Sequence, residues 1–171
     1  MNQELKDNLA YTLNLNGILD TYEKIRLINS QNEKINVVQS FIVELQKDTI
    51  QDLFEEWSLR LKDTYPNKIV TNVNEPTTNS YLFLGIRFNY RETDFACAIG
   101  LDNFSSQPYI GLTMRNCTDN KEPIIEEFVN NNLNTNELNS SARWYGYKLT
   151  DFDHAYSELT EICDEVMRKL P

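Results

Sequence analysis

Histidine, cysteine and glycine are scarce in this chain of 171 residues, which has one histidine, three cysteines and five glycines. The glycines lie too far apart for a G-x-G or Walker pattern, which argues against the common phosphate-binding loops. His154 has no second histidine to complete a usual metal-ligand set, and no G-x-S-x-G nucleophile elbow is present. The sequence therefore predicts a protein that is not an enzyme and that uses no metal and no cofactor.

The number of cysteines and the absence of long hydrophobic runs indicate the cellular compartment of the protein. Cys97, Cys117 and Cys163 are odd in number and contain no C-x-x-C pair, so we expect free thiols, with Cys97 and Cys163 as small core residues. The first ten residues are polar, and no run of about 18 apolar residues occurs. We expect a soluble, cytoplasmic protein that makes no membrane contact.

Basic residues are also few relative to acidic ones. The chain has 16 basic and 26 acidic residues, which gives a net charge of −10. The excess lies in residues 1–65 and 118–171, while residues 66–117 are neutral. An acidic surface repels phosphate backbones, so direct nucleic-acid binding is not expected. The charge favours either a solvated surface that maintains solubility or a negative surface directed at a basic partner protein.

Hydrophobic periodicity divides the chain into a helical part, a sheet part and a mixed part. Residues 1–65 follow a 3.6-residue period, with a polar break at Asn29 to Asn32 and a possible restart of the helix at Asp48 or Thr49. The period then changes to 2. Strands are predicted at residues 68–73, 80–91, 95–101, 108–115 and 143–149, and further helices at 122–133 and after Asp151 or Asp153.

This order of elements predicts an α+β fold. We expect an antiparallel meander of four to five strands, packed with amino-terminal and carboxy-terminal helices. One domain is predicted over residues 1–171, with a helical part at 1–65, a sheet at 66–117 and a helix-strand-helix part at 118–171.

The single histidine lies between carboxylates, in the segment Asp151 to His154. A histidine beside two aspartates could bind a metal ion or transfer a proton. The favoured interpretation is a helix amino terminus, at which the aspartates accept hydrogen bonds from free backbone N–H groups.

The predicted sheet carries aromatic and arginine side chains on one face, around small residues at positions 96, 98 and 100. Such a face could form a shallow recess for an anionic or peptide-like partner. The favoured alternative is that the amino-terminal helices cover this face. The candidate binding residues are Tyr81, Phe83, Arg87, Tyr109, Arg115, Arg143 and Trp144.

Several segments resemble the carboxy-terminal accessory region of bacterial PD-(D/E)XK nuclease family proteins. They are FEEWSLRLKDTY from Phe54, YLFLGIRF from Tyr81, AIGLD from Ala98, YIGL from Tyr109 and RWYG from Arg143. The nuclease signature is missing, because no proline is followed by aspartate and no E-x-K or D-x-K follows a strand in the required order. The resemblance implies an accessory module without the catalytic core, which binds a partner or competes with a full-length relative.

These observations lead to three hypotheses. The first is a non-enzymatic, acidic protein–protein interaction or regulatory domain of bacterial or phage origin. It would inhibit a partner in phage–bacterium conflict (anti-defence) or in toxin control, and one version is a DNA mimic whose carboxylates occupy a basic groove. The second is a domain that binds a small anionic ligand on the arginine–aromatic face. The third is a divergent hydrolase that uses His154.

Overall fold

The structure is a computed structural model that describes residues 7, 11, 21–74, 82–104, 106–115, 117–133 and 138–171. The chain divides into two compact units, Met1–Gln46 and Lys47–Pro171. The expectation of a single domain over residues 1–171 stays a prediction. No helix among the described residues has both the length and the apolar character that crossing a membrane requires.

The described residues form four helices. They are α1 (Thr21–Ser30), α2 (Asn32–Thr64), α3 (Pro123–Asn132) and α4 (Ala155–Lys169). The predicted break between the first two helices is present as a turn at Gln31. The predicted restart at Asp48 or Thr49 is wrong, because α2 continues through both residues without interruption. Neither residue has the positive φ or missing N–H that ends a helix, and the apolar positions continue on the same period beyond them.

Five strands follow the order of the chain in one antiparallel sheet, β1-β2-β3-β4-β5. They are β1 (Ile69–Asn74), β2 (Leu82–Tyr90), β3 (Thr93–Leu101), β4 (Tyr109–Thr113) and β5 (Trp144–Leu149). The predicted α+β class and antiparallel meander are confirmed. Period-2 alternation predicts the strands, and the two-residue turn between β2 and β3 makes these two strands neighbours. β5 pairs with β4 only after a long connection that contains α3.

The main hydrophobic core lies between one face of this sheet and the helices of the second unit. The apolar alternation of β2 and β3 supplies the sheet side, from Leu84 and Ile99 among others. Phe54, Trp57 and Leu61 come from α2, and they recur at three- and four-residue spacing on one side of the helix. α3 and α4 complete the layer, with buried residues Ile125, Phe128, Val129, Ala155, Leu159, Cys163 and Val166.

Specific contacts fix α4 against the rest of the second unit. The Tyr65 hydroxyl, just beyond the end of α2, donates to Asp164 Oδ1 at 2.9 Å. Burial and this hydrogen bond both raise the pKa of Tyr65, so the phenol stays a donor. Cys97 and Cys163 are free and fully buried, which confirms their prediction as small core residues.

The turn between β2 and β3 uses two residues with left-handed backbone. Arg91 has φ 48° and Glu92 has φ 67°, and neither is glycine. Two consecutive residues at positive φ define the two-residue hairpin turn that favours Asn-Gly. The sequence therefore holds this turn at some conformational cost.

Candidate functional site

The second face of the sheet is lined by small residues. Directly opposed residues share a face, and the register aligns Gly85 with Ala98 and Ala98 with Gly111. The flanking row aligns Phe83, Gly100 and Tyr109. The sequence analysis assigned the candidate residues of β2 and β4 to one face of the sheet. The strand register supports that assignment.

Aromatic rings lie over these small residues. Phe83 is fully buried, Trp144 is 4% exposed and Tyr109 is 9% exposed. Tyr109 and Trp144 meet edge to face at 5.1 Å between ring centroids, and Tyr147 meets Tyr109 in the same manner at 5.7 Å. A methyl group at Gly100 would overlap the Tyr109 ring, so this glycine permits the ring to lie against the sheet.

A cleft of about 470 Å³ opens beside these rings. Tyr109, Trp144 and Tyr147 line it together with Arg115 and Arg143. The remaining lining residues are Asp102, Ser141, Ala142 and Leu149. The volume falls within the range of small-molecule sites, and the mixture of aromatic surface with a few charged groups is typical of them.

Thr113 holds the two cleft arginines in place, although it does not line the cleft. Its hydroxyl is completely buried and donates to the carbonyl oxygen of Arg143 at 2.6 Å. The Thr113 hydroxyl oxygen in turn accepts a hydrogen bond from the backbone N–H of Arg115 at 3.0 Å. The Thr113 side chain thereby connects the backbones of Arg115 and Arg143. These two backbone positions form the arginine rim of the cleft, and the hydrogen bonds hold them in a fixed arrangement.

The opposite end of the cleft carries a carboxylate. Asp102 follows the end of β3, and its Oδ1 accepts a hydrogen bond from the Tyr109 hydroxyl at 2.7 Å. Tyr109 pairs with Leu149, whereas Thr113 pairs with Trp144 at the other end of the same two strands. The two ends of the cleft therefore differ in charge, with arginines at one end and a carboxylate acceptor at the other.

The structure brings four of the predicted binding residues together: Tyr109, Arg115, Arg143 and Trp144 line the cleft. Phe83 lies on the same face of the sheet but is fully buried and does not line the cleft. Arg87 is half-buried near Cys117, where burial raises the pKa of the thiol and the arginine opposes that shift. Tyr81 lies outside the described residues. The binding role of these residues stays a prediction.

Tyr147 and Asp102 are cleft residues that the sequence did not predict, and each was missed for a different reason. The pairing of β4 with β5 shifts register between Leu112 and Thr113, so Tyr145 is skipped and Trp144 opposes Thr113. This bulge places Trp144 and Tyr147 on one face, although strict alternation assigns them to opposite faces. Asp102 lies beyond a strand end, where the period-2 pattern no longer applies. A bulge leaves no distinct signal in a single sequence.

The segment around His154 forms a separate small site. Asp151 Oδ1 lies 2.7 Å from the His154 ring Nδ1 and accepts the His154 backbone N–H at 2.9 Å. The hydrogen bond to Asp151 raises the pKa of His154, and the same contact lowers the pKa of Asp151. The predicted capping of this helix by Asp151 or Asp153 is wrong, because His154 is the N-cap residue of α4 and has no side-chain capping hydrogen bond. Asp151 accepts the N–H of the N-cap residue itself, one step before the free N–H groups of the first turn.

A shallow pocket of about 310 Å³ adjoins this pair and also contacts Glu158. Burial would raise the pKa of Glu158, but hydrogen bonds from Lys148 and Thr150 outweigh it and lower that pKa. Lys148 Nζ lies 2.7 Å from Glu158 Oε1. In the part of the chain that the structure describes, no three His, Cys, Asp or Glu side chains are grouped to hold a metal ion.

No protein-family model, no curated protein and no solved structure matches this chain. The resemblance to the accessory region of PD-(D/E)XK nuclease family proteins therefore stays a prediction. The functional argument depends on the geometry and chemistry of the cleft.

Proposed function

We propose that this chain is a binding domain whose cleft holds an anionic ligand with a planar, apolar body. The observation that carries the proposal is the placement of two arginines, Arg115 and Arg143, at one end of an aromatic-walled cleft. This corresponds to the second hypothesis drawn from the sequence, a small anionic ligand bound on the arginine–aromatic face.

The arginines supply the affinity for the anion. A guanidinium offers several N–H donors in a planar fork that matches a carboxylate or a phosphate. The side chain of Arg143 forms no ion pair with any residue that the structure describes. The chain as a whole is negatively charged, with a net charge of −10. A pair of arginines in one cleft is therefore a local positive region, which favours an anionic ligand.

The aromatic wall supplies the preference for a planar body. Trp144 and Tyr109 are already packed edge to face against each other, so little side-chain freedom is lost when a ligand binds. A planar ligand gains apolar burial and ring–ring contact mainly against Tyr147, which is half-buried, because Trp144 and Tyr109 are themselves almost completely buried.

Isothermal titration with phenyl phosphate tests this function, because that probe carries one phosphate and one ring. We expect Arg143→Ala to weaken binding about tenfold or more, since a charge-assisted hydrogen bond contributes about 1.5–3 kcal/mol. Arg168→Ala is the matched control, since Arg168 lies at the end of α4 and does not line the cleft. Equal affinity in wild type and Arg143→Ala, or no binding by wild type, contradicts the proposal.

A second candidate is the acidic protein–protein interaction domain, and one specific observation favours it. Along α2 within the first unit, Val37, Phe41 and Leu45 recur every four residues and are 52%, 65% and 68% exposed. Exposed apolar residues at this spacing are typical of a helix that docks into an apolar groove of a partner. Inhibition of a host or phage protein, including DNA mimicry, remains one form of this candidate.

A paired variant test addresses this second candidate. Phe41→Ser removes an exposed apolar side chain from the stripe, and Leu59→Ser removes one that is 63% exposed on the same helix in the second unit. Affinity capture from the native host should lose a specific protein with Phe41→Ser and retain it with Leu59→Ser. Identical captured proteins with both variants count against this use of the helix.

A further inference from the structure

We infer that the ligand of the cleft is a guanosine nucleotide, with its phosphate at the arginine end and its base edge at Asp102. This inference rests on the proposed function, since it identifies the ligand class of the same cleft. It follows from the polarity of the cleft, from the chemistry at each end and from the wall between them.

The two ends of the cleft are separated by the length of a short strand. Tyr109 contacts Asp102, and Thr113 holds the arginine rim. These two residues are four apart in β4, which corresponds to about 13 Å at the usual rise of a strand. A ligand that uses both ends is therefore elongated, and a mononucleotide has comparable reach from base edge to phosphate.

Asp102 selects for hydrogen-bond donors. An ionised carboxylate only accepts hydrogen bonds and has about four lone-pair positions on two oxygens. The Tyr109 hydroxyl takes one position on Oδ1 and holds the carboxylate in place. Because Asp102 is exposed, its remaining acceptor capacity faces solvent and is available to a ligand.

Among the nucleobases, guanine fits such an acceptor best. Its N1–H and N2 amino group are adjacent donors that can contact both oxygens of one carboxylate, whereas adenine places an acceptor beside its amino group. Stacking of a base on an aromatic side chain adds affinity without sequence preference, and the half-buried Tyr147, which pairs with Gly111 midway along β4, lines the cleft between its two ends. The acidic surface favours a free nucleotide over a polynucleotide strand.

Titration of the full chain at low salt with the 5′-monophosphates of guanosine, inosine and adenosine tests the inference. Inosine lacks the N2 amino group, so the ligand series removes the donors stepwise without altering the protein. We expect guanosine monophosphate to bind at least tenfold more tightly than adenosine monophosphate, with inosine monophosphate between them. Asp102→Asn should abolish this preference, while Arg143→Ala should weaken all three nucleotides by a similar factor.

The outcomes separate the two levels of the argument. Equal binding of the three nucleotides, with loss in Arg143→Ala, overturns the guanosine assignment and leaves the anion site intact. Binding of phenyl phosphate without any nucleotide binding does the same. Failure of both phenyl phosphate and the nucleotides overturns the proposed function as well. Tighter binding of a guanosine-ended tetranucleotide than of the mononucleotide overturns the assignment to a free nucleotide.

Discussion

The hydroxyl of Thr113 provides a sharp test of how the cleft is built. Thr113→Val replaces the hydroxyl by a methyl group of similar size at a completely buried position. Two hydrogen bonds are lost, one to the Arg143 carbonyl and one from the Arg115 N–H. At about 1 kcal/mol for each, the free energy of unfolding should fall by about 2 kcal/mol.

The Arg143 carbonyl also accepts the backbone N–H of Met114 at 3.3 Å, so it keeps a partner in the variant and the loss should not greatly exceed this value. With a urea dependence of about 2 kcal/mol per molar, the unfolding midpoint should move down by about 1 M. Tryptophan fluorescence is a suitable probe, because Trp57 and Trp144 both belong to the second unit.

Thr113→Ser is the matched control. It removes one buried methyl group, which costs about 1 kcal/mol, but it retains the hydroxyl. If Thr113 positions the arginine rim, affinity for phenyl phosphate falls in Thr113→Val and is retained in Thr113→Ser, although both variants are less stable. Equal affinity in both variants, or an unchanged unfolding midpoint in Thr113→Val, would refute this reasoning.

Three further predictions follow from the contacts around the site and the sheet. Gly100→Ala should displace the Tyr109 ring and weaken phenyl phosphate binding in calorimetry, and unchanged affinity would show that the ring position is unimportant. Glu92→Gly should raise the free energy of unfolding in urea by about 1 kcal/mol, because the residue has φ 67°; a loss of stability would contradict a strained turn. The Asp151–His154 contact should stabilise the fold mainly between the ordinary pKa values of the two groups, 3.8 and 6.5. Because the pKa of His154 is raised in the folded state, its contribution to the free energy of unfolding is complete below pH 6.5 and is lost as the pH rises through the folded pKa. Because the pKa of Asp151 is lowered, its contribution is complete above pH 3.8 and is lost as the pH falls through the folded pKa. His154→Ala should therefore differ most from wild type near pH 5 and least near pH 9 in thermal unfolding, and a difference that does not depend on pH would contradict this assignment.

Much of the fold was predictable because its determinants are local. Apolar residues in β2 alternate over nine positions, and a two-residue turn pairs β2 with β3, so this part of the strand order follows from the pattern. The pairing of β5 with β4 follows a long connection that contains α3 and is not local. The uninterrupted course of α2 was missed, because Asp48 and Thr49 are common at helix starts and are also tolerated within a helix.

The candidate site was predictable only in part. The shared face of Tyr109 and Arg115 follows from their even spacing, which is a property of any strand. The convergence of Trp144 and Tyr147 depends on a bulge, and that of Asp102 depends on a loop that leaves a strand end. Both are determined by packing between strands, which a local pattern does not encode.

The central claim is that the cleft binds an anionic, planar ligand through Arg143 and the Trp144 wall. The most direct measurement follows the two indole N–H resonances by NMR during titration with phenyl phosphate, after Trp57→Phe has assigned them. The account predicts that the Trp144 resonance shifts with saturation, that the Trp57 resonance does not, and that the shift is lost in Arg143→Ala. A shift of neither resonance, or a Trp144 shift that persists unchanged in Arg143→Ala, would contradict it.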